Sequence, residues 1–311
     1  MKKILFFAAL AGAVLWTGCQ EKEEDIVKEE PVKEAPQLFT LTVQAVKDVD
    51  TKALELVEDE YGSHLNAYWV DGEQVAVYKY DNVSYTYSNL GKLTVDADES
   101  APQYATLSGT LDSVEGVTVG TELSLLFPRA ERDYTGQDGT APSEKGSLAK
   151  NYDYAEAKVS VKSMENGVIT TGDAEFRNLQ KIYRFGFKVG GKGGTAVSVK
   201  EFTVDSDSEQ LVRKYDYSSD KITYGSLTVK VSGDATTDLL YMAIDNGSAD
   251  SDNSQTYSFH VIDDGNALYT GSQSIGFEVL QNVNINFISA QNVNVGKATL
   301  ATATTTTTEV W

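Results

Sequence analysis

From Ala174 to Val189 the chain alternates apolar and polar side chains with a period of two. Tyr183, Phe185, Phe187 and Val189 point one way; Arg184, Gly186 and Lys188 point the other. That period fits a strand with one buried face and does not fit an amphipathic helix. The same alternation marks Phe39–Ala45, Gln74–Tyr80, Ser84–Ser88, Tyr104–Leu111 and Thr121–Phe127, the last stopped by Pro128. It returns at Val197–Val204, Leu227–Val231, Asp238–Ile244, Thr256–Ile262 and Asn282–Phe287. Asp81-Asn82 reads as a hairpin turn, and residues 129–150 as a polar loop. Helical turns fit only at Ser147–Ala157 and Lys52–Glu60. With 17 Tyr, 11 Phe and only 5 Pro, the composition suits pleated, half-buried surfaces. Short strands separated by Gly, Asp and Asn turns predict β-sandwiches. The 311 residues exceed what one core normally fills, so two domains are expected, with a break near residues 163–175.

The amino-terminal residues predict export. Lys2 and Lys3 precede an apolar run from Ile4 to Trp16, followed by Thr17-Gly18-Cys19. This is the order of a secretory signal peptide, spanning residues 1–18. Cys19 is the single cysteine, placed where a bacterial lipobox cysteine receives its lipid, although Trp16 stands where Leu, Val or Ile is usual. A multiply acylated Cys19 would anchor the precursor to the outer membrane, surface-exposed. No second cysteine can pair with it, so the fold relies on its core. Residues 19–37, rich in Glu and Lys, are expected to form a flexible acidic linker. Loss of Lys2 and Lys3 with the signal peptide moves the net charge from −20 to −22. Such a charge opposes binding to nucleic acid and to anionic membranes.

Most catalytic kits cannot be assembled. There are two histidines, His64 and His260, and no Gly-x-Ser-x-Gly turn. His260 sits between Phe259 and Val261 and reads as a solvent-facing strand residue. Two distant histidines give no zinc spacing, and Asp245–Asn253 lacks the order of an EF-hand. Gly190–Gly194 fails as a phosphate loop because Gly193 stands where Ser or Thr should be. Trp69 reads as core. No cofactor and no metal are expected.

Three groups of residues carry a resemblance. The first is Trp69-Val70-Asp71-Gly72 leading to Val75, Val77 and Tyr78. The second runs from Leu126-Phe127-Pro128 through Gln137-Asp138-Gly139 to Tyr152-Asp153-Tyr154-Ala155. The third is Phe176-Arg177-Asn178-Leu179, followed by Ile182 and Phe185. In order and spacing the chain resembles the fimbrillin family, lipoprotein-derived subunits of type V pili. Asp71-Gly72 inverts the family's Gly-Asp, and Asn178 and Leu179 replace a turn that often carries His.

The resemblance implies an all-β protein with two tandem transthyretin-like β-sandwich domains, placed here at residues 38–173 and 174–311. It implies a stalk-type fimbrial subunit that polymerises head to tail and contributes to adhesion. A protease would cut behind the first strand at Lys52, or else Lys47, both expected at the surface. The displaced strand would carry Phe39, Leu41, Val43 and Ala45. A neighbour's carboxy-terminal segment, residues 297–311 with Leu300, Thr302, Thr304, Val310 and Trp311, would fill the slot. Partners would be other fimbrial subunits, with host or bacterial surface ligands a further class. Two rivals stand beside this reading: a monomeric surface lipoprotein binding glycan or a host ligand, and an outer-membrane glycoside hydrolase using paired carboxylates.

Overall fold

The structure is a computed structural model that describes residues 38–47, 55–59, 62–66, 68–140, 147–190, 194–206, 211–231, 239–245, 255–275 and 280–287. Strands dominate. In the first half they are β1 (Phe39–Lys47), β2 (Glu55–Asp59), β3 (Gly62–Asn66), β4 (Gln74–Asp81), β5 (Thr86–Ala97), β6 (Tyr104–Leu111), β7 (Glu122–Phe127) and β8 (Glu131–Asp133). A short helix, α1 (Ser147–Tyr152), precedes β9 (Ala155–Glu165), β10 (Val168–Thr171) and β11 (Ala174–Asn178). The second half holds β12 (Lys181–Val189), β13 (Thr195–Ala196), β14 (Val199–Ser206), β15 (Val212–Asp216), β16 (Lys221–Tyr224) and β17 (Leu227–Lys230). It continues with β18 (Leu239–Ile244), β19 (Gln255–Asp263), β20 (Leu268–Ile275) and β21 (Leu280–Phe287).

The first eight-stranded sheet closes on itself. Antiparallel pairing runs from β6 through β5, β4 and β7 to β9. The β9 strand then pairs with β10 and with β11, and both pair in parallel with β1. The ring is completed by β1 against β6, from Phe39 opposite Leu111 to Val46 opposite Tyr104. Closure removes sheet edges, which otherwise expose unpaired backbone groups. Its interior is apolar: Val75, Val77, Leu93, Leu107, Leu123, Leu125 and Val159 are buried in one cluster.

The second half packs two layers face to face. The β12 strand pairs with β18 and β13 antiparallel and with β21 in parallel. Opposite it lies the sheet β17-β14-β19-β20. Aromatic rings fill the space between: Phe185 and Phe187 lie 4.7 and 4.9 Å from Phe202, ring centre to ring centre. Ring pairs at such spacing add about 0.5–1.5 kcal/mol beyond area burial.

The all-β expectation holds, with three local corrections. The long alternation at Ala174–Val189 is two strands. The first, β11, belongs to the closed sheet, with Ala174 and Phe176 in its core; the second, β12, anchors the other half. A boundary at residue 173 therefore cuts through the first sheet, and the crossing lies at Leu179-Gln180. Alternation cannot reveal this, because both strands obey the same period. Residues 129–150 are no plain loop either, since they contain β8 and the start of α1. Finally, the stretch 52–60 contains strand β2.

The two halves share a core. On β4, Val75 and Val77 face the closed sheet's interior, whereas Ala76 and Tyr78 join the cluster of the second half. The β8 strand leaves the first sheet and pairs with β15, placing Arg132 opposite Tyr215. The Gln137 side chain accepts from the Ala243 amide at 2.7 Å and donates to the Ala243 carbonyl at 2.8 Å. Gly139 follows at φ +77°, where an added Cβ would lie 2.6 Å from Leu240 Cδ2 and 2.9 Å from Val229 Cγ1. Replacing it with alanine adds both backbone strain and overpacking. Gly139→Ala should lower stability by about 1–3 kcal/mol, seen as a lower urea midpoint at unchanged slope. Gly120→Ala, also at positive φ but with open space around it, should cost only about 1 kcal/mol.

Candidate functional site: the slot of the first strand

The sequence of β1 dictates how it sits. Thr40, Thr42 and Gln44 face outward, while Leu41, Val43 and Ala45 are buried in the cluster inside the closed sheet. Phe39 is partly buried against the same cluster. Fully burying a Leu or Val is worth about 1.5–3 kcal/mol, so this face contributes substantially to the closed sheet. Backbone pairing adds to it on both flanks. Outside, the Gln44 amide donates to Thr106 Oγ1 at 3.2 Å, and Thr40 Oγ1 donates to the Gly167 carbonyl at 3.2 Å.

The inward row ends in a charge. Lys47 continues the alternation of Leu41, Val43 and Ala45, and only 1% of it is exposed. Its Nζ donates to Asp153 Oδ2 at 3.0 Å and to the Tyr68 carbonyl at 3.2 Å. The same ammonium lies 4.4 Å from the ring centre of Trp69 and 3.9 Å from that of Phe127. Trp69 packs edge-on against Phe127 at 5.2 Å and Phe176 at 5.1 Å. A desolvated cation over aromatic faces gains about 2 kcal/mol. The carboxylate does the larger part, because an unpaired charge here would be expensive. Asp153 Oδ1 has no hydrogen-bond partner among the described residues, so the carboxylate depends on the lysine. Glu73 lies farther out; burial raises its carboxyl pKa, and Lys47 pulls it back down.

Lys47 was expected at the surface and is instead enclosed. A lysine at the end of a strand reads as solvated unless its carboxylate partner is known, and Asp153 lies 106 residues away. In this state its side chain cannot enter a protease's specificity pocket. Cys19, Lys52, Leu300, Thr302, Thr304, Val310 and Trp311 lie outside the described residues. Trp69 is core, as read from the sequence, and His260 is exposed on β19. Asp245, considered as a calcium ligand, forms an ion pair with Arg132 at 2.7 Å. Among the described residues no three His, Cys, Asp or Glu side chains group as metal ligands.

No protein-family model matches the chain, and no curated protein does. Solved structures give weak likenesses. A candidate cell adhesion protein from Bacteroides uniformis is 12% identical with TM-score 0.42, over 80% of this chain and 93% of that one. One from Bacteroides ovatus is 11% identical with TM-score 0.41, over 81% and 95%. The shaft pilin of Lactobacillus rhamnosus GG is 11% identical with TM-score 0.31, over 80% and 96%. Likeness at this level assigns no function.

The ion pair makes a clear stability prediction. Lys47→Met strands Asp153 without a cation and should cost about 3–5 kcal/mol. Lys47→Met combined with Asp153→Leu should recover most of that loss. Urea unfolding followed by Trp69 fluorescence measures both.

Proposed function

We propose that this chain is a stalk-type structural subunit of a cell-surface fimbrium, assembled by exchange of its first strand and contributing to adhesion. It has no catalytic role. The precursor is held at the outer membrane through Cys19 and is cut behind β1 at Lys52. The first strand then leaves, and a segment from the carboxy-terminal end of a neighbouring copy takes its place. The observation supporting this reading is the position of β1. A peripheral first strand would have left nothing for a neighbour to fill. Here β1 completes a closed sheet, carries a buried apolar row, and precedes the other described strands, so its loss cuts no connection between them. Its removal exposes the edges of β6, β10 and β11, and unpaired edges accept a new strand. Repeated head-to-tail contact that does not close produces a filament.

The test uses the chain beginning after Cys19. Brief trypsin treatment should cut after Lys52 and spare Lys47, and electron microscopy should then show polymers. Gln44 and Thr106 stand opposite each other across β1 and β6. In Gln44→Cys/Thr106→Cys, an oxidised bridge should leave the cut intact but block polymers until a reductant is added. A resistant monomer, or polymers that form despite the bridge, would overturn the reading.

One observation favours the glycan-binding rival. Tyr80 and Tyr85 are exposed at the tip of the β4–β5 hairpin, and Tyr80 lies 4.7 Å from Tyr87, ring centre to ring centre. Exposed aromatic faces of this kind stack on sugar rings. Under that reading, Tyr80→Ala with Tyr85→Ala abolishes retention on a glycan array, and the uncut protein remains a monomer.

A further inference from the structure

Lys47 and Asp153 bring an amine and a carboxyl together under conditions that a surface pair lacks. Both backbones are fixed. The Lys47 amide donates to the Gln103 carbonyl at 3.0 Å, and Lys47 is paired with Phe176 on β11. Asp153 lies between α1 and β9, flanked by the buried Tyr152 and Tyr154. Nζ stands 3.0 Å from Oδ2, so the carboxyl carbon is one bond beyond contact. The lysine side chain is 1% exposed and the aspartate side chain 8%. The rings of Trp69 and Phe127 cover the ammonium and offer it no proton acceptor. Two polar atoms of the chamber, Asp153 Oδ1 and Trp69 Nε1, have no hydrogen-bond partner among the described residues.

In water an ammonium and a carboxylate resist condensation, because hydration stabilises both charges. Burial removes that hydration, and an amide in their place carries no charge to desolvate. Holding two reacting groups in position is worth an effective concentration of about 10⁵–10⁸ M. We infer that Lys47 and Asp153 are a self-crosslinking site, in which Nζ condenses with Cγ of Asp153 and joins β1 to the segment ahead of β9 through an amide bond.

The step balances within the pair. A proton passes from the ammonium to Oδ2, leaving an amine and a carboxylic acid. The nitrogen lone pair attacks Cγ, and the N–C bond forms. The Cγ–Oδ2 bond then breaks, and Oδ2 takes a second proton from nitrogen and leaves as water. One proton stays on the amide nitrogen. Nothing is oxidised or reduced, and no co-reactant is needed. Negative charge develops on Oδ1 during the attack, and the indole N–H of Trp69 is an unused donor in the same wall. Glu73 is placed to carry the second proton. The Val70 amide donates to its Oε2 at 3.0 Å, fixing the carboxyl, and its charge is coupled to both Lys47 and Asp153. Burial raises its pKa, which favours a carboxyl that can give a proton as well as take one.

The bond goes beyond strand exchange and sets a limit on it. A copy that has condensed keeps β1 even after a cut behind Lys47, and accepts no strand from a neighbour. Exchange is then open only to copies that are cut and emptied before the bond forms.

The experiment uses the chain beginning after Cys19, folded and then incubated at neutral pH, with intact mass followed over time. Wild type should become lighter by one water. Digestion should yield one branched peptide joining Lys47 to Asp153, identified by fragmentation in the mass spectrometer. Lys47→Arg keeps a cation without the nucleophile and should keep its full mass. Glu73→Gln should form the bond at least tenfold more slowly, while its circular dichroism matches wild type. A wild-type chain that keeps its full mass, or a loss of water that persists in Lys47→Arg, overturns the crosslink. An unchanged rate in Glu73→Gln overturns the part given to Glu73. Strand exchange is read separately, from polymers formed by freshly folded, cut chains of full mass, and their absence counts against exchange alone.

Discussion

The closed first sheet depends on β1, the first of the described strands. Its three partner strands arrive much later: β6 begins some sixty residues on, and β10 and β11 lie well over a hundred residues away. Bringing such distant segments together carries a loop-closure cost that must be met before the contacts repay it. The strands β4, β5, β6, β7 and β9 pair with one another at shorter separations and can organise without β1. The protein thus has a scaffold formed mostly by local pairings and a final strand fitted into it by non-local ones.

Lys47 and Asp153 set where that strand stops. A one-residue slip of a strand turns every side chain to the other face, so the apolar row already excludes odd shifts. A two-residue slip keeps the row inside and would be tolerated by hydrophobicity alone. The ion pair excludes it, because the ammonium must meet one carboxylate beside the rings of Trp69 and Phe127. A buried pair of this kind is weak support for stability and good support for a unique arrangement.

The seam between the halves has a different character. Arg132 with Asp245, Gln137 with Ala243, and Gly139 under Leu240 tie residues 129–140 into the second half through hydrogen bonds and close packing. Tyr78 and Tyr217 meet at 5.6 Å across the same seam. The halves are joined by a common core rather than strung on a linker.

Much of the site was legible as residues but not as a site. Trp69, Phe127, Asp153 and Phe176 all fall in the motifs that carried the family resemblance, and Gln137 and Gly139 do as well. Sequence alone determined that the chain is built of strands, that Leu41, Val43 and Ala45 face one way, and that catalytic histidine or cysteine chemistry has few residues to draw on. Those conclusions rest on local periodicity and on counts, which need no knowledge of neighbours. Only the tertiary structure decided that β1 closes a ring, that the Ala174–Val189 run divides between two sheets, and that Lys47 is buried. Each of these is a statement about which distant segments meet. A period of two says which face of a strand is apolar, but nothing in it names the strand or the carboxylate that will lie against that face.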